Sequence, residues 1–326
     1  MTALLALLLA AGAAPPAGRV SNGQISLTYY APDAANGYYR GTRFDWSGLV
    51  SALSYRGRNF HGPWYDRVDP ATRDFIDTPQ AVTVGVNSAA MGPAEEFGAV
   101  GFEETAPGAT FLKVGVGLLR RPDDKPYSQF RAYDLVDGGV WHVRKDRASV
   151  TFTQTLADNG SGFGYVYTKT LRLVPGQPEL RIEHSLRNTG VRPIATSVYS
   201  HNFLVTGART GPDFRITAPF AIAGPPPPSA ALARVEGRHI GFVRTLGAGE
   251  RVFMPVEGKG RSARIYDFRV ENRRTHAGFT VKSDRPLGRA VLWSIRTTVS
   301  LEPFIDVGAD PGRETRWTYV YRYFAP

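Results

Sequence analysis

Four stretches of the chain concentrate side chains able to bind a polar ligand or move a proton. The first, Gly37-Tyr38-Tyr39-Arg40-Gly41-Thr42-Arg43-Phe44-Asp45-Trp46-Ser47-Gly48, sets two arginines three apart among aromatic rings and an aspartate. Guanidinium forks and flat apolar faces grip sugar hydroxyls or a carboxylate, so Arg40, Arg43 and Asp45 are candidate binding residues. A surface turn with a solvated Arg–Asp pair is the plainer alternative. The second, Gly92-Pro93-Ala94-Glu95-Glu96-Phe97-Gly98, precedes Lys113 and carries adjacent carboxylates. In extended chain they point opposite ways, so one faces a cleft and the other solvent, with Glu96 preferred for the cleft.

The third stretch is Tyr199-Ser200-His201-Asn202-Phe203. On a strand, His201 shares a face with Tyr199 and Phe203, and an imidazole among aromatics can titrate near neutrality and act as acid or base. A lone histidine on an apolar face is more often a core residue, which is the reading for His184. The fourth is Ser300-Leu301-Glu302-Pro303-Phe304. Proline holds the preceding Glu302 extended, and its apolar flanks desolvate the carboxylate into a stronger base. The alternative is a strand-end glutamate paired with Arg296 or Arg316.

Strands must position these groups. Leu180, Ile182, His184 and Leu186 alternate with Arg181, Glu183, Ser185 and Arg187, and Val150, Phe152 and Leu156 alternate with Thr151, Thr153 and Thr155. Period two of this kind predicts half-buried strands, with another over Tyr165 to Val174 and a last one placing Trp317, Tyr319, Tyr321 and Tyr323 on one side. Asp158-Asn159-Gly160, Pro175-Gly176 and Asn188-Thr189-Gly190 fall between strands at hairpin spacing, so antiparallel pairing is expected. Gly224-Pro225-Pro226-Pro227-Pro228-Ser229 reads as a long surface loop, because strand patterning is alike on both sides.

Composition narrows the class. The 326 residues contain 35 Gly and 24 Pro, spaced so closely that few windows could hold a stable helix, which excludes a helical bundle. There is no cysteine, hence no disulfide, thiol nucleophile or cysteine-ligated metal. A net charge of +10 raises nucleic-acid binding, but the arginines are scattered singly or in pairs among acids, without a basic helix or stacking sheet motif, so nucleic acid is not expected as a partner. The run Ala3 to Ala11 followed by Ala11-Gly12-Ala13 reads as a cleavable signal within residues 1–17. Export, to a periplasm, of a single domain over 18–326 is the expectation. The run is shorter than the roughly 18–20 residues that span a bilayer, and no cysteine offers a lipid anchor, so no membrane anchor is expected.

In combination these stretches resemble the galactose mutarotase-like (aldose 1-epimerase) superfamily. Asn188-Thr189-Gly190 through Pro193 to Ser200-His201-Asn202-Phe203 is similar to the family's asparagine–threonine turn and histidine strand. Leu301-Glu302-Pro303, then Asp310-Pro311-Gly312-Arg313-Glu314, resembles its closing segment, and Arg40 and Arg43 stand where it has a substrate-binding arginine. The resemblance implies an all-β supersandwich of antiparallel sheets that binds sugar on a concave sheet without a cofactor or metal. It implies Glu302 as general base and His201 as general acid on either side of one pyranose; the candidate substrate-binding residues are Arg40, Arg43, Asp45, Glu96, Asn202, His61 and Lys113. The segment His61-Gly62-Pro63-Trp64 departs from the family's His-Gly-Gly motif. Extra arginine and glutamate suit an acidic or decorated sugar or an oligosaccharide end, with the tyrosine-rich strands stacking on it. The expected function is a secreted, aldose 1-epimerase-like isomerase acting on mono- or oligosaccharides. The alternatives are a polysaccharide lyase or another carbohydrate-active enzyme on the same scaffold, and a non-catalytic glycan-binding protein.

Overall fold

The computed structural model describes residues 14–206, 209–222 and 231–326. Residues 1–13 of the expected signal, and the proline run 225–228, lie outside the described residues. Ala17, assigned above to the signal, opens the strand Ala17–Ser21, which pairs antiparallel with Ile25–Tyr30.

About half of the described residues are in strands and none is in an α-helix, and the strand pairings are antiparallel apart from a two-residue parallel contact between Arg67–Val68 and Val82–Val84. The largest sheet has ten strands. Its centre runs Ser149–Leu156, Tyr165–Leu173, Glu179–Asn188, Glu314–Phe324 and Ala277–Ser283. A five-stranded sheet runs Val252–Pro255, Arg289–Ile295, Thr298–Ala309, Ile194–His201 and Ala94–Phe97. The two share a single core, in which Val198, Leu292, Leu301 and Ile305 of the smaller sheet join Phe152, Leu171, Ile182 and Phe279 of the larger.

Two of the expected turns, Asp158-Asn159-Gly160 and Pro175-Gly176, do join paired strands. Asn188-Thr189-Gly190 does not. It carries the chain from the ten-stranded to the five-stranded sheet, and Glu179–Asn188 pairs instead with Glu314–Phe324. The tyrosine stripe needs a larger correction. Trp317, Tyr319, Tyr321 and Tyr323 do share a face, but that face lies in the core at 0 to 2% exposure, so these rings do not stack on a ligand. Each such burial contributes on the order of 2–3 kcal/mol, which makes the stripe an anchor of the fold.

Candidate active site

Strand register builds the site. Tyr199 is opposite Phe304 on one neighbouring strand and opposite Glu96 on the other, so all three side chains share the face of the five-stranded sheet turned away from the core. An isolated bridge between Leu204 and Val299 continues the first register, which places His201 opposite Glu302 on that same face. Leu204 and Val299 exchange both backbone hydrogen bonds. By alternation, His201 and Glu302 therefore form a non-hydrogen-bonded pair, the kind whose side chains lie closest. Between the two ladders the strands part: Pro303, opposite Ser200, has no N–H to give, and Asn202 Nδ2 donates to the Leu301 carbonyl at 2.8 Å.

His201 Nδ1 lies 2.8 Å from Glu302 Oε1, with both side chains buried. On the other edge of the ring, Nε2 is 3.4 Å from an Arg43 Nη2 donor and 3.5 Å from Glu96 Oε2. The imidazole thus has a carboxylate at each edge, and the Nδ1–Oε1 approach is an ion-pair contact that leaves both atoms without an aligned hydrogen bond. Burial works against the charged ring, but Glu302 and Glu96 outweigh it and raise the His201 pKa above its ordinary value. Glu96 accepts from Arg43 Nε at 2.7 Å and from the Tyr199 hydroxyl at 2.6 Å, and Lys113 Nζ stands 3.6 Å away. Burial pushes its carboxyl up, yet Arg43, Lys113 and His201 hold it well below the usual carboxylate range.

Above this floor is a cleft of about 510 Å³. One wall is Arg43 and Phe44, another the segment from Tyr127 to Phe130, and a third an aromatic group of Trp64, Phe75, Phe203, Phe253 and Trp293. Trp64 stacks on Phe203 at 5.0 Å between ring centroids and meets Trp293 edge-on at 5.3 Å. Apolar rings around a buried acid–base pair suit a pyranose, which has apolar C–H faces and a hydroxyl rim.

The structure brings together His201, Glu302, Arg43 and Glu96, but it separates the other expected binding residues from the cleft. Arg40 is exposed and donates to the Ala35 carbonyl at 2.8 Å. His61 is buried between the Phe203 carbonyl, 3.0 Å from Nδ1, and the Tyr323 hydroxyl, 3.1 Å from Nε2; burial lowers its pKa to about 4 against the carbonyl's opposing pull. Asn202 points to the core, where its Oδ1 accepts from Tyr321. Lys113 acts one layer back, donating to Tyr127 at 2.7 Å beside Glu96. Nor does Arg43 offer a free charge to an acidic sugar, since Glu96 and Asp74 already pair with it.

Asp45 and Glu95 belong to a second polar cluster, on the core side of the same sheet. Lys169 Nζ is 2.6 Å from Glu95 and 3.3 Å from Asp45, and His184 Nε2 is 2.9 Å from Glu95. Tyr167 donates to Asp45 at 3.0 Å, and the Ser47 hydroxyl donates to the same carboxylate. Glu95 is therefore not solvated, because both sides of its strand are covered. Burial pushes it up, but His184 and Lys169 bring it down to about 2.

Sequence reasoning missed Asp74, which accepts from Ser88 at 2.9 Å and faces Arg43 at 3.4 Å, and also Trp64, Tyr127 and Trp293. The first three lie outside long strands, where no periodicity exists to read. Trp293 is on a strand, opposite Ser300, but alternation alone does not say which face meets the cleft.

No protein-family model matches the chain, and no curated protein matches it. Solved structures do. It is similar to the Slr1438 protein of Synechocystis sp. PCC 6803, with a TM-score of 0.57 at 12% identity over 97% of this chain and 98% of that one. It is also similar to a galactose mutarotase related enzyme from Lactobacillus acidophilus (TM-score 0.52, 12% identity, 95% and 97% covered). A third likeness is to the GalM/aldose epimerase homologue of C. elegans (TM-score 0.52, 14% identity, 96% and 99% covered). Likeness at such low identity bears on architecture alone, and with the antiparallel sheets described above it gives this chain the galactose mutarotase-like β-sandwich fold.

Proposed function

We propose that the protein interconverts the anomers of a reducing sugar by acid–base ring opening. The observation that carries this reading is the 2.8 Å contact between His201 Nδ1 and Glu302 Oε1 on the cleft floor. The two groups lie side by side, not across a ring as the sequence suggested, because register places them opposite one another on neighbouring strands. Side by side suits the chemistry: the anomeric and ring oxygens of a pyranose are bonded to the same carbon, so their base and acid must be neighbours.

An imidazolium next to a carboxylate already holds its protons where the reaction needs them. Glu302 takes the proton of the anomeric hydroxyl, the bond between the anomeric carbon and the ring oxygen breaks, and the ring oxygen takes the Nδ1 proton of His201. Nδ1 serves as the donor because it is the ring nitrogen beside Glu302, whose carboxylate acts at the same anomeric carbon. The open aldehyde turns about its bond to the next carbon, and the same transfers in reverse close the other anomer. The aromatic walls hold the sugar by its apolar faces.

Proton NMR of freshly dissolved reducing sugars tests the reading: wild type accelerates anomer exchange, while His201→Ala and Glu302→Gln each lower kcat by about 10²–10⁴-fold. Exchange no faster than in buffer, or unchanged by both variants in folded protein, refutes it.

A further inference from the structure

Beside the reaction cleft is a second hollow, of about 330 Å³, with which it shares Phe75 and Arg251. Asp77 lines this hollow with a side chain only 2% exposed. Its Oδ1 accepts from Arg296 Nε at 2.7 Å, but its buried Oδ2 has no hydrogen-bond partner. A desolvated carboxylate oxygen left in that condition calls for a donor, and a ligand hydroxyl supplies one. Glu250, also in the lining, has both oxygens engaged by Arg244 and one also by the Gly247 N–H. Asp77 is thus the acceptor with capacity to spare. At the rim of the first cleft Phe253, opposite Trp293 in the sheet, is 52% exposed, a large apolar ring offered to solvent next to a binding site.

We propose that the substrate is an oligosaccharide whose reducing-end unit occupies the His201–Glu302 cleft and whose next unit fills the second hollow. This rests on the anomer-exchange reading, which also sets the polarity: only the reducing end of an oligosaccharide has a free hemiacetal, so that end must be over His201 and Glu302. The penultimate unit then donates a hydroxyl hydrogen to Asp77 Oδ2 and lays its C–H face against Phe253.

The experiment compares KM for anomer exchange with glucose and with maltose, cellobiose and lactose, all of which carry glucose at the reducing end. At least one disaccharide is expected to show a KM about fivefold or more below that of glucose. Asp77→Asn then raises that KM to the glucose value while leaving glucose itself within about twofold, and Phe253→Ala, which also borders the first cleft, raises the disaccharide KM by a larger factor than the glucose KM. Asn preserves the acceptor for Arg296 and removes only the second oxygen, and Phe253 is on the surface, so the pair guards against a folding artefact. Equal or weaker use of all three disaccharides by active wild type overturns this inference alone, as do variants that weaken glucose and disaccharide alike. Wild type inactive on every sugar overturns the anomer-exchange reading and this inference with it.

Discussion

At the scale of single residues, two carboxylates on opposite edges of the ring raise the pKa of His201 against the effect of burial. Glu302 touches Nδ1, and Glu96 faces Nε2 through a weaker contact that Arg43 shares. Replacing Glu96 by Gln keeps an acceptor for Tyr199 but removes a negative charge, so the raised His201 pKa falls. Because the proposed acid is the protonated ring, the alkaline limb of the pH–rate profile moves to lower pH, and NMR titration of the His201 ring proton moves with it. The members of this group were legible because each stood in a short polar or aromatic segment with one plausible partner chemistry. His61, Asn202 and Asp45 had the same kind of neighbours in the chain and proved to be buried structural groups. Residue type identified which side chains could bind, but not which space they faced.

At the scale of strands, the site depends on how closely the chain before Glu95 approaches the end of the histidine strand. A Cβ at Gly92 would be 2.5 Å from the His201 carbonyl oxygen and 2.6 Å from the Phe203 nitrogen, both backbone atoms with little room to yield. Gly92→Ala is expected to cost about 1–3 kcal/mol in stability and, by shifting His201 against Glu302, to lower kcat more than it raises KM. Urea unfolding and steady-state kinetics on the same preparation measure the two effects. Period two marks the strands near 150, 165, 180 and 317, and it groups Tyr199, His201 and Phe203 correctly on one face. What it lacks is a sign. The tyrosine stripe and the histidine face have the same alternation, yet one is core and the other cleft, and only pairing with a second sheet distinguishes them.

At the scale of the molecule, burial of titratable groups sets how the fold answers to acid. His61, held neutral with a pKa lowered to about 4, protonates in the unfolded chain near 6.5, so unfolding takes up a proton between those values and stability falls as pH drops through that window. Between pH 7 and 5 this amounts to about 2 kcal/mol. The stability difference between wild type and His61→Gln, measured by urea unfolding, should narrow by that amount over the same interval. Glu95 adds a second loss at lower pH. Its carboxyl, brought down to about 2, contributes stability that is present above the unfolded value near 4.5 and disappears as pH falls toward 2. The all-β architecture was readable from composition and alternation. The route of the chain between sheets was not, since a turn such as Asn188-Thr189-Gly190 has the same local chemistry whether it closes a hairpin or crosses the core.

The consecutive acids of the edge strand Ala94–Phe97 carry a further consequence. Glu96 answers Arg43 on one side and Glu95 answers Lys169 on the other, so displacing this strand by a single position would turn every side chain to the opposite face and set Ala94 or Phe97 where one of the two carboxylates stood. One of the two buried cations would then face an apolar side chain, so charge itself opposes the wrong alignment. Phe97 adds to the discrimination: fully buried and meeting Tyr167 at 5.6 Å and Trp317 at 6.2 Å, it would in a displaced frame be turned out to the cleft side. A greasy ring, bearing no charge and taking no part in the chemistry, works with the two ion pairs to keep neighbouring acids in their separate compartments.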